Sequence, residues 1–196
     1  VNRDWVNGLS AGDYSEDILL LPGDIAHDLR ELGRVLEHLA CRFAQVFFAP
    51  GNHDVWVRSQ EGMDSWAKFD EVLRVAGESG AVVDAARAGE VLVVPFLSWY
   101  DFSFGEPTAD LRSRWADFRF CRWPDGMDPG SVTTALLDRN AWPEVQPGEI
   151  VLGLSHFLPF PDVLPERVDP QRYFLTPVLG SLLLGEQVER LQPAYH

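Results

Sequence analysis

The sequence predicts an α/β fold, because two short apolar runs flank one amphipathic segment. The runs Ile18–Leu21 and Val46–Ala49 are uninterrupted, which is typical of strands that are buried on both faces. Between them, apolar residues recur at helical spacing, and this predicts a helix with one face packed on a sheet. Strand, helix and strand in this order predict a βαβ unit with parallel strands and a right-handed crossover. The apolar helical positions are Leu29, Leu32, Leu36, Leu39, Ala40 and Phe43.

Asp28 marks the predicted start of this helix. Glu31 follows it at the spacing of a capping box, in which a side-chain oxygen accepts hydrogen bonds from the free amides of the first turn. We therefore expect the helix to begin directly after Asp28.

The same patterns predict further elements along the chain, and we expect residues 1–196 to form a single domain. Strands are predicted at Ala81–Val83 and Val91–Phe96, joined across a turn, and in the apolar run Ile150–Leu154. Helices are predicted near Trp5–Leu9 and at Met63–Glu78, Asp110–Phe120, Ser131–Trp142 and Leu182–Leu191.

The composition narrows the class of protein. The formal net charge of −14 argues against general binding to nucleic acids or to anionic membranes. The two cysteines, Cys41 and Cys121, form no Cys-x-x-Cys pair, which argues against a disulfide scaffold and against a thiolate zinc site. A reducing cytosol is the default compartment for such a chain, so we expect a cytoplasmic protein.

Polar residues follow both strands of the βαβ unit. Gly23-Asp24 comes after the first strand, and Gly51-Asn52-His53-Asp54 comes after the second. Ligand sites in open α/β sheets form outside the carboxyl ends of the strands, so Asp24, Asn52 and His53 are expected to converge. A carboxylate, an amide oxygen and an imidazole form a ligand set that suits manganese, iron or zinc.

These residues resemble the calcineurin-like metallophosphoesterases. That family carries Asp-x-His, Gly-Asp, Gly-Asn-His-Asp or -Glu, a lone His, and Gly-His-x-His in this order. The chain shows the middle three blocks, with His156 of Ser155-His156 as the lone histidine. The resemblance implies a two-sheet sandwich flanked by helices, with four layers in the order αββα. It also implies a metal-dependent hydrolase of phosphate mono- or diesters, small or macromolecular.

The resemblance further implies a role for each motif residue. Asp24 would bridge two metal ions, and Asn52 and His156 would complete the shell of the second ion. The metal-activated water would attack the phosphorus. His53 would act as general acid or stabilise the developing charge, and Asp54 would orient its imidazole.

Two blocks of the family pattern are absent. No Asp-x-His precedes Gly23, and no Gly-His-x-His follows His156. We therefore expect an internal fragment that is cut at both ends, in which the shell of the first ion depends largely on residues outside the chain. His196 lacks the frame of the missing block, and we assign it no role.

Each assignment has an alternative. Asp24 could cap a turn, Asn52 could be an ordinary turn residue, and His156 could be a core histidine. A serine hydrolase is disfavoured because Phe157 stands where the nucleophile elbow requires glycine. A non-catalytic binding or scaffold protein with an incomplete metal site remains the main alternative function. The segment Trp99–Trp142 could form a substrate lid, although packing is the commoner role of aromatic residues.

Overall fold

The computed structural model describes residues 3–58, 62–164 and 173–196, and it confirms the α/β class. None of the helices in these ranges is both long and apolar enough to cross a membrane. The helices are α1 (Arg3–Gly8), α2 (Leu29–Ala40), α3 (Ser65–Glu78), α4 (Ala109–Arg114), α5 (Asp117–Phe120), α6 (Pro129–Leu137) and α7 (Leu182–Leu191). The strands are β1 (Ile18–Leu21), β2 (Gln45–Phe48), β3 (Ala81–Val82), β4 (Ala86–Ala88), β5 (Val91–Pro95) and β6 (Ile150–Leu154). Short 3₁₀ turns cover His53–Val55, Pro161–Val163 and Tyr173–Val178.

The first sheet contains the predicted βαβ unit. Its strand order is β1-β2-β3, and both pairs are parallel. Ile18 pairs with Gln45 and Leu21 with Phe48, so β1 and β2 end at the same edge of the sheet. The parallel pairing that the sequence predicted is therefore confirmed, and the polar turns that follow the two strands lie side by side.

Helix α2 begins where the capping pattern predicts. The side chain of Asp28 accepts a hydrogen bond from the backbone amide of Glu31 at 2.9 Å, which satisfies one of the free amides of the first turn. Leu32, Leu36 and Leu39 are fully or almost fully buried on the face of α2 that packs on the first sheet and on α3. This packing holds α2 against the sheet whose strands carry the two polar turns at their ends.

The second sheet differs from the prediction. Its order is β4-β5-β6, with an antiparallel β4–β5 pair and a parallel β5–β6 pair. The strands predicted at Ala81–Val83 and Val91–Phe96 lie in different sheets, and the segment between them, predicted as a turn, contains a further strand, β4. The antiparallel partner of β5 is the three-residue strand β4, which sequence patterns missed. Its sequence, Ala-Arg-Ala, is short and has no β-branched or aromatic residue to indicate a strand.

The two sheets contact each other through apolar side chains. Phe47 and Ala49, from β2 and the residue that follows it, are buried against Val93 and Leu154 of the second sheet. Helices pack on the other sides of the sheets, so two sheets with flanking helices are shown, whereas the four-layer order stays a prediction. Trp99 and Tyr100 are each 1% exposed and belong to the apolar cluster that includes Leu92 and Val94 of the second sheet. These two aromatic residues therefore pack in the core and do not form a lid.

Candidate functional site

The turns after β1 and β2 meet in direct contact. Gly23 has a φ of 77° and Asp24 a φ of 58°, which is a left-handed conformation that aspartate tolerates better than most residues. A Cβ on Gly51 would lie 2.7 Å from the backbone nitrogen of Asp24 and 2.8 Å from Cε1 of His156. Only glycine at position 51 therefore allows the two turns and the histidine to approach this closely.

Asp54 holds the two turns together. Its carboxylate is fully buried and accepts four backbone hydrogen bonds of 2.8–3.0 Å. Burial raises the pKa of Asp54, and the backbone amides oppose this shift. The predicted role of orienting the His53 imidazole is wrong, because both carboxylate oxygens are occupied by main-chain donors. The four donors are the amides of Asp24, Ile25, Ala26 and Gly51.

Three electron-pair donors, from Asp24, Asn52 and His156, converge beside this junction. Nδ1 of His156 lies 2.6 Å from the carbonyl oxygen of Pro22, which can only accept, so Nδ1 carries a proton. Nε2 of His156 then faces Oδ1 of Asn52 at 3.0 Å and Oδ1 of Asp24 at 3.6 Å. Two oxygens and a nitrogen lone pair therefore point at one another, an arrangement that requires either a proton on Nε2 or a cation among them.

A buried carboxylate that sequence analysis missed fixes the orientation of Asn52. Asp117 is 2% exposed, and its Oδ1 accepts hydrogen bonds from Nδ2 of Asn52 at 2.8 Å and Nε1 of Trp56 at 2.6 Å. Nε1 of Trp115 donates to its Oδ2 at 2.8 Å. Because the amide NH₂ of Asn52 faces this carboxylate, its oxygen must face His156. Burial raises the pKa of Asp117, and the three donors oppose the shift.

His53 lies at the mouth of the cluster. Its side chain is 48% exposed, and Nε2 is 3.8 Å from Oδ2 of Asp24. The imidazole stacks on the ring of Trp56, with centroids 3.8 Å apart, and the backbone amide of His53 donates to Oδ1 of Asp24 at 3.0 Å. Trp56, and not Asp54, therefore orients this imidazole.

Lys68 is a second functional residue that sequence reasoning missed. It is the single lysine among 16 basic residues, and it is 1% exposed. Its ammonium group donates to the carbonyl oxygen of His27 at 2.5 Å and to that of Trp56, so it joins the segments that follow the two turns. Burial lowers the pKa of Lys68 to about 8. A lone lysine in an arginine-rich chain was the signal that could have indicated this position.

A serine nucleophile is not supported at Ser155. The only hydroxyl proton of Ser155 is donated to the carbonyl oxygen of Phe157 at 2.7 Å. Nε2 of His196, 2.8 Å from Oγ, must therefore carry a proton and donate it to Ser155. A histidine that donates to the hydroxyl cannot at the same time accept its proton, so this pair lacks the arrangement of a nucleophile and its base.

The donor set at the junction fits a metal ion. Within the residues that the structure describes, no group of three or more His, Cys, Asp and Glu side chains has the geometry of a metal site. The cluster of Asp24, Asn52 and His156 reaches three donors only because one of them is an amide oxygen. Carboxylate, amide and imidazole together suit a hard or borderline divalent cation.

The chain is similar to a curated protein, the [acyl-carrier-protein] phosphodiesterase PptH of Mycobacterium tuberculosis. The two are 33% identical over 98 residues, which cover 45% of this chain and 30% of that protein. The fold is similar to the crystal structure of the phosphopantetheinyl hydrolase PptH from Mycobacterium tuberculosis, with a TM-score of 0.71 and 21% identity. That superposition covers 97% of this chain and 74% of the other chain.

These comparisons correct the family assignment drawn from the sequence. No model of a known protein family matches the chain. The similar protein and the similar structure both carry the name PptH, so the likeness that is found is to PptH, and the calcineurin-like assignment is not supported. The motifs behind that assignment are short and cover few residues, whereas the two comparisons cover 45% and 97% of the chain.

Replacing Gly51 with alanine should weaken Mn²⁺ binding, because the added Cβ pushes Asp24 away from His156. We expect a loss of roughly 10- to 100-fold in affinity, the range that follows when groups supporting metal ligands are displaced. Isothermal titration calorimetry measures the Mn²⁺ affinity of the wild type and of the variant. The control is Gly77→Ala in α3, where a Cβ meets nothing within 4 Å. Unchanged Mn²⁺ affinity in Gly51→Ala would contradict this account of the junction.

The pH dependence of stability should report on Lys68. The pKa of Lys68 is about 8 in the folded protein, against an ordinary value of 10.5. Between these values the unfolded chain holds a proton that the folded protein has released, so the contribution of Lys68 to stability rises with pH. Urea unfolding from pH 7.5 to 10.5 should show the wild type gaining stability relative to Lys68→Met. If the difference in stability between the wild type and Lys68→Met stayed constant across this window, the lowered pKa of Lys68 would be ruled out. The control variant Arg30→Met should show no pH-dependent difference from the wild type.

Proposed function

We propose that the chain hydrolyses phosphodiesters at the junction of the turns after β1 and β2. The observation that carries the proposal is the convergence of one nitrogen and two oxygen electron pairs from His156, Asn52 and Asp24. Similar donor groups would repel one another in the absence of a proton or a cation between them. A divalent metal ion satisfies all three at once.

The supporting residues hold the ligands in the state that a metal ion needs. The carbonyl of Pro22 keeps the proton of His156 on Nδ1 and leaves Nε2 free to bind a metal. Asp117 turns the oxygen of Asn52 in the same direction. The second carboxylate oxygen of Asp24, which faces His53, is available for a second ion. Manganese, iron and zinc all remain candidates for this pair of sites.

A bound metal ion would polarise the phosphoryl oxygens and lower the pKa of a coordinated water. His53 is placed to hold a proton on Nε2 at the exposed mouth of the cluster and to donate it to the departing oxygen. The stacked ring of Trp56 restricts the imidazole to that direction. The buried carboxylate of Asp54 does not take part in proton transfer. Its hydrogen bonds hold the backbone of the two turns that contain Asp24 and His53 in place.

The names of the similar proteins supply the substrate class. One is an [acyl-carrier-protein] phosphodiesterase and the other a phosphopantetheinyl hydrolase. We extend this to the present chain as a proposal: the substrate is a phosphodiester that joins a pantetheine-type alcohol to a hydroxyl of a carrier protein. Both leaving groups of such a diester are alkoxides, which need a proton to depart.

Because an alkoxide leaving group needs a proton, two substrates with different leaving groups can distinguish the proton donor His53 from the metal ligand Asp24. His53→Ala should lower kcat on an alkyl phosphodiester by roughly 10²- to 10⁴-fold, the usual contribution of a general acid. On bis-p-nitrophenyl phosphate, the loss should be less than about tenfold, because nitrophenolate departs without a proton. Metal content should stay unchanged in His53→Ala and should fall in Asp24→Ala. Steady-state kinetics with added Mn²⁺ and elemental analysis measure the two quantities.

His38→Ala is the matched control, because His38 lies on α2 and contacts the carbonyl oxygen of Val6 at 2.9 Å. It should leave both substrates and the metal content unaffected. Equal losses on both substrates in His53→Ala would remove the general acid from the mechanism. A protein that binds Mn²⁺ and hydrolyses neither substrate would favour the alternative, a non-catalytic binding or scaffold protein.

A further inference from the structure

Two arginines lie over the ring of Phe120 beside the candidate site, and a third, Arg122, follows Phe120 by two residues. The guanidinium carbon of Arg58 lies 3.9 Å from the ring centroid, and that of Arg119 lies 5.4 Å from it. Arg122 donates from Nη2 to the carbonyl oxygen of Val57 at 3.1 Å. All three residues are exposed. We call Arg58, Arg119 and Arg122 the arginine rim.

The rim adjoins the mouth of the cluster through one aromatic ring. Trp56 stacks on the His53 imidazole, and its centroid is also 5.6 Å from the guanidinium carbon of Arg58 and 5.1 Å from the Phe120 ring. A molecule bound at His53 can therefore extend to the rim.

The rim arginines have no acidic partner among the described residues. Five other arginines do pair with a carboxylate there. The cation–π contact holds the guanidinium of Arg58 against the face of Phe120, and its N–H groups point outward in the plane of the guanidinium. Such groups are matched in geometry to the oxygens of a phosphate. The paired arginines are Arg34, Arg74, Arg87, Arg114 and Arg139.

The net charge of the whole chain is unfavourable for binding an anion, and the rim offsets this effect beside the site. The chain carries 30 acidic and 16 basic residues, a formal charge of −14 that repels anionic substrates at long range. Cations that have no acidic partner within residues 3–58, 62–164 and 173–196 offset that repulsion locally beside the site. A small anionic group can contact the rim alone, without meeting the negative charge of the chain over a large surface.

We propose that the arginine rim, with Arg58 at its centre, binds a second phosphate group of a small anionic ligand whose first phosphate lies at the candidate site. The inference rests on the proposed function for the position of the first phosphate, but the binding of a second phosphate at the rim does not depend on turnover. Arg58 is a binding and specificity residue in this scheme, and it takes no part in the proton transfer assigned to His53.

Isothermal titration with two nucleotides tests the rim directly. Thymidine 3′,5′-bisphosphate and thymidine 5′-phosphate differ only in the second phosphate, and we expect the bisphosphate to bind roughly tenfold tighter, which is about one charge-assisted contact. Arg58→Gln should abolish this difference. Arg190→Gln is the matched control, because Arg190 lies over the ring of Trp142 at 4.1 Å and is not part of the rim. It should retain the full difference.

Equal affinities of the two nucleotides for the wild-type protein would overturn the proposal. So would a tenfold difference that survives in Arg58→Gln. An acidic carrier protein that loses affinity in Arg58→Gln, with no discrimination between the nucleotides, would assign the rim to a protein partner and also overturn it. The p-nitrophenyl ester of thymidine 5′-phosphate reports hydrolysis in the same samples. Its failure to be cleaved contradicts the proposed function and leaves the binding result standing.

Discussion

Four backbone amides converge on the buried carboxylate of Asp54, and through them the turn after β1 is joined to the turn after β2. Each donor would be left unsatisfied without the carboxylate, at a cost of about 1–3 kcal/mol. The same contacts keep Asp24 in its left-handed conformation, with a φ of 58°. Because both turns also carry the donor groups of the site, the geometry of the site depends on this one side chain.

A second set of contacts sets the direction of each donor. Asp117 orients Asn52, the carbonyl of Pro22 orients His156, and Trp56 orients His53. Burial raises the pKa of both Asp54 and Asp117, so ionised carboxylates at these positions are costly unless donors or cations surround them. Backbone amides and indole N–H groups supply part of that stabilisation. A cation held near Asp24 would add to it.

Local patterns predicted the elements that build the site. The bounds of β1, β6 and α7 agree with those expected from the sequence, because each is an apolar run or periodic segment with clear ends. Strand β4 was missed, because three residues of low β-propensity give no pattern. Asp24, Asn52 and His53 lie close together because the parallel strands β1 and β2 end at one edge of the first sheet. His156 reaches them from the segment after β6 of the second sheet.

The contacts that orient the site were beyond the reach of sequence patterns. Asp117 meets Asn52 across 65 residues, and Lys68 meets His27 across 41. No motif or period links positions so far apart, and only the fold brings them together. The corrected family assignment has a similar origin, because short motifs describe the two turns and carry little information on the rest of the chain.

A crystal structure of the protein with Mn²⁺, measured with anomalous scattering, tests the central claim most directly. The account predicts an anomalous peak within coordination distance of Oδ1 of Asp24, Oδ1 of Asn52 and Nε2 of His156, with the contact from His156 to Pro22 retained. No peak among these three atoms at saturating Mn²⁺ would contradict it. A proton on Nε2 of His156 would then account for its contacts with the oxygens of Asn52 and Asp24. The junction would be a structural contact without a metal ion.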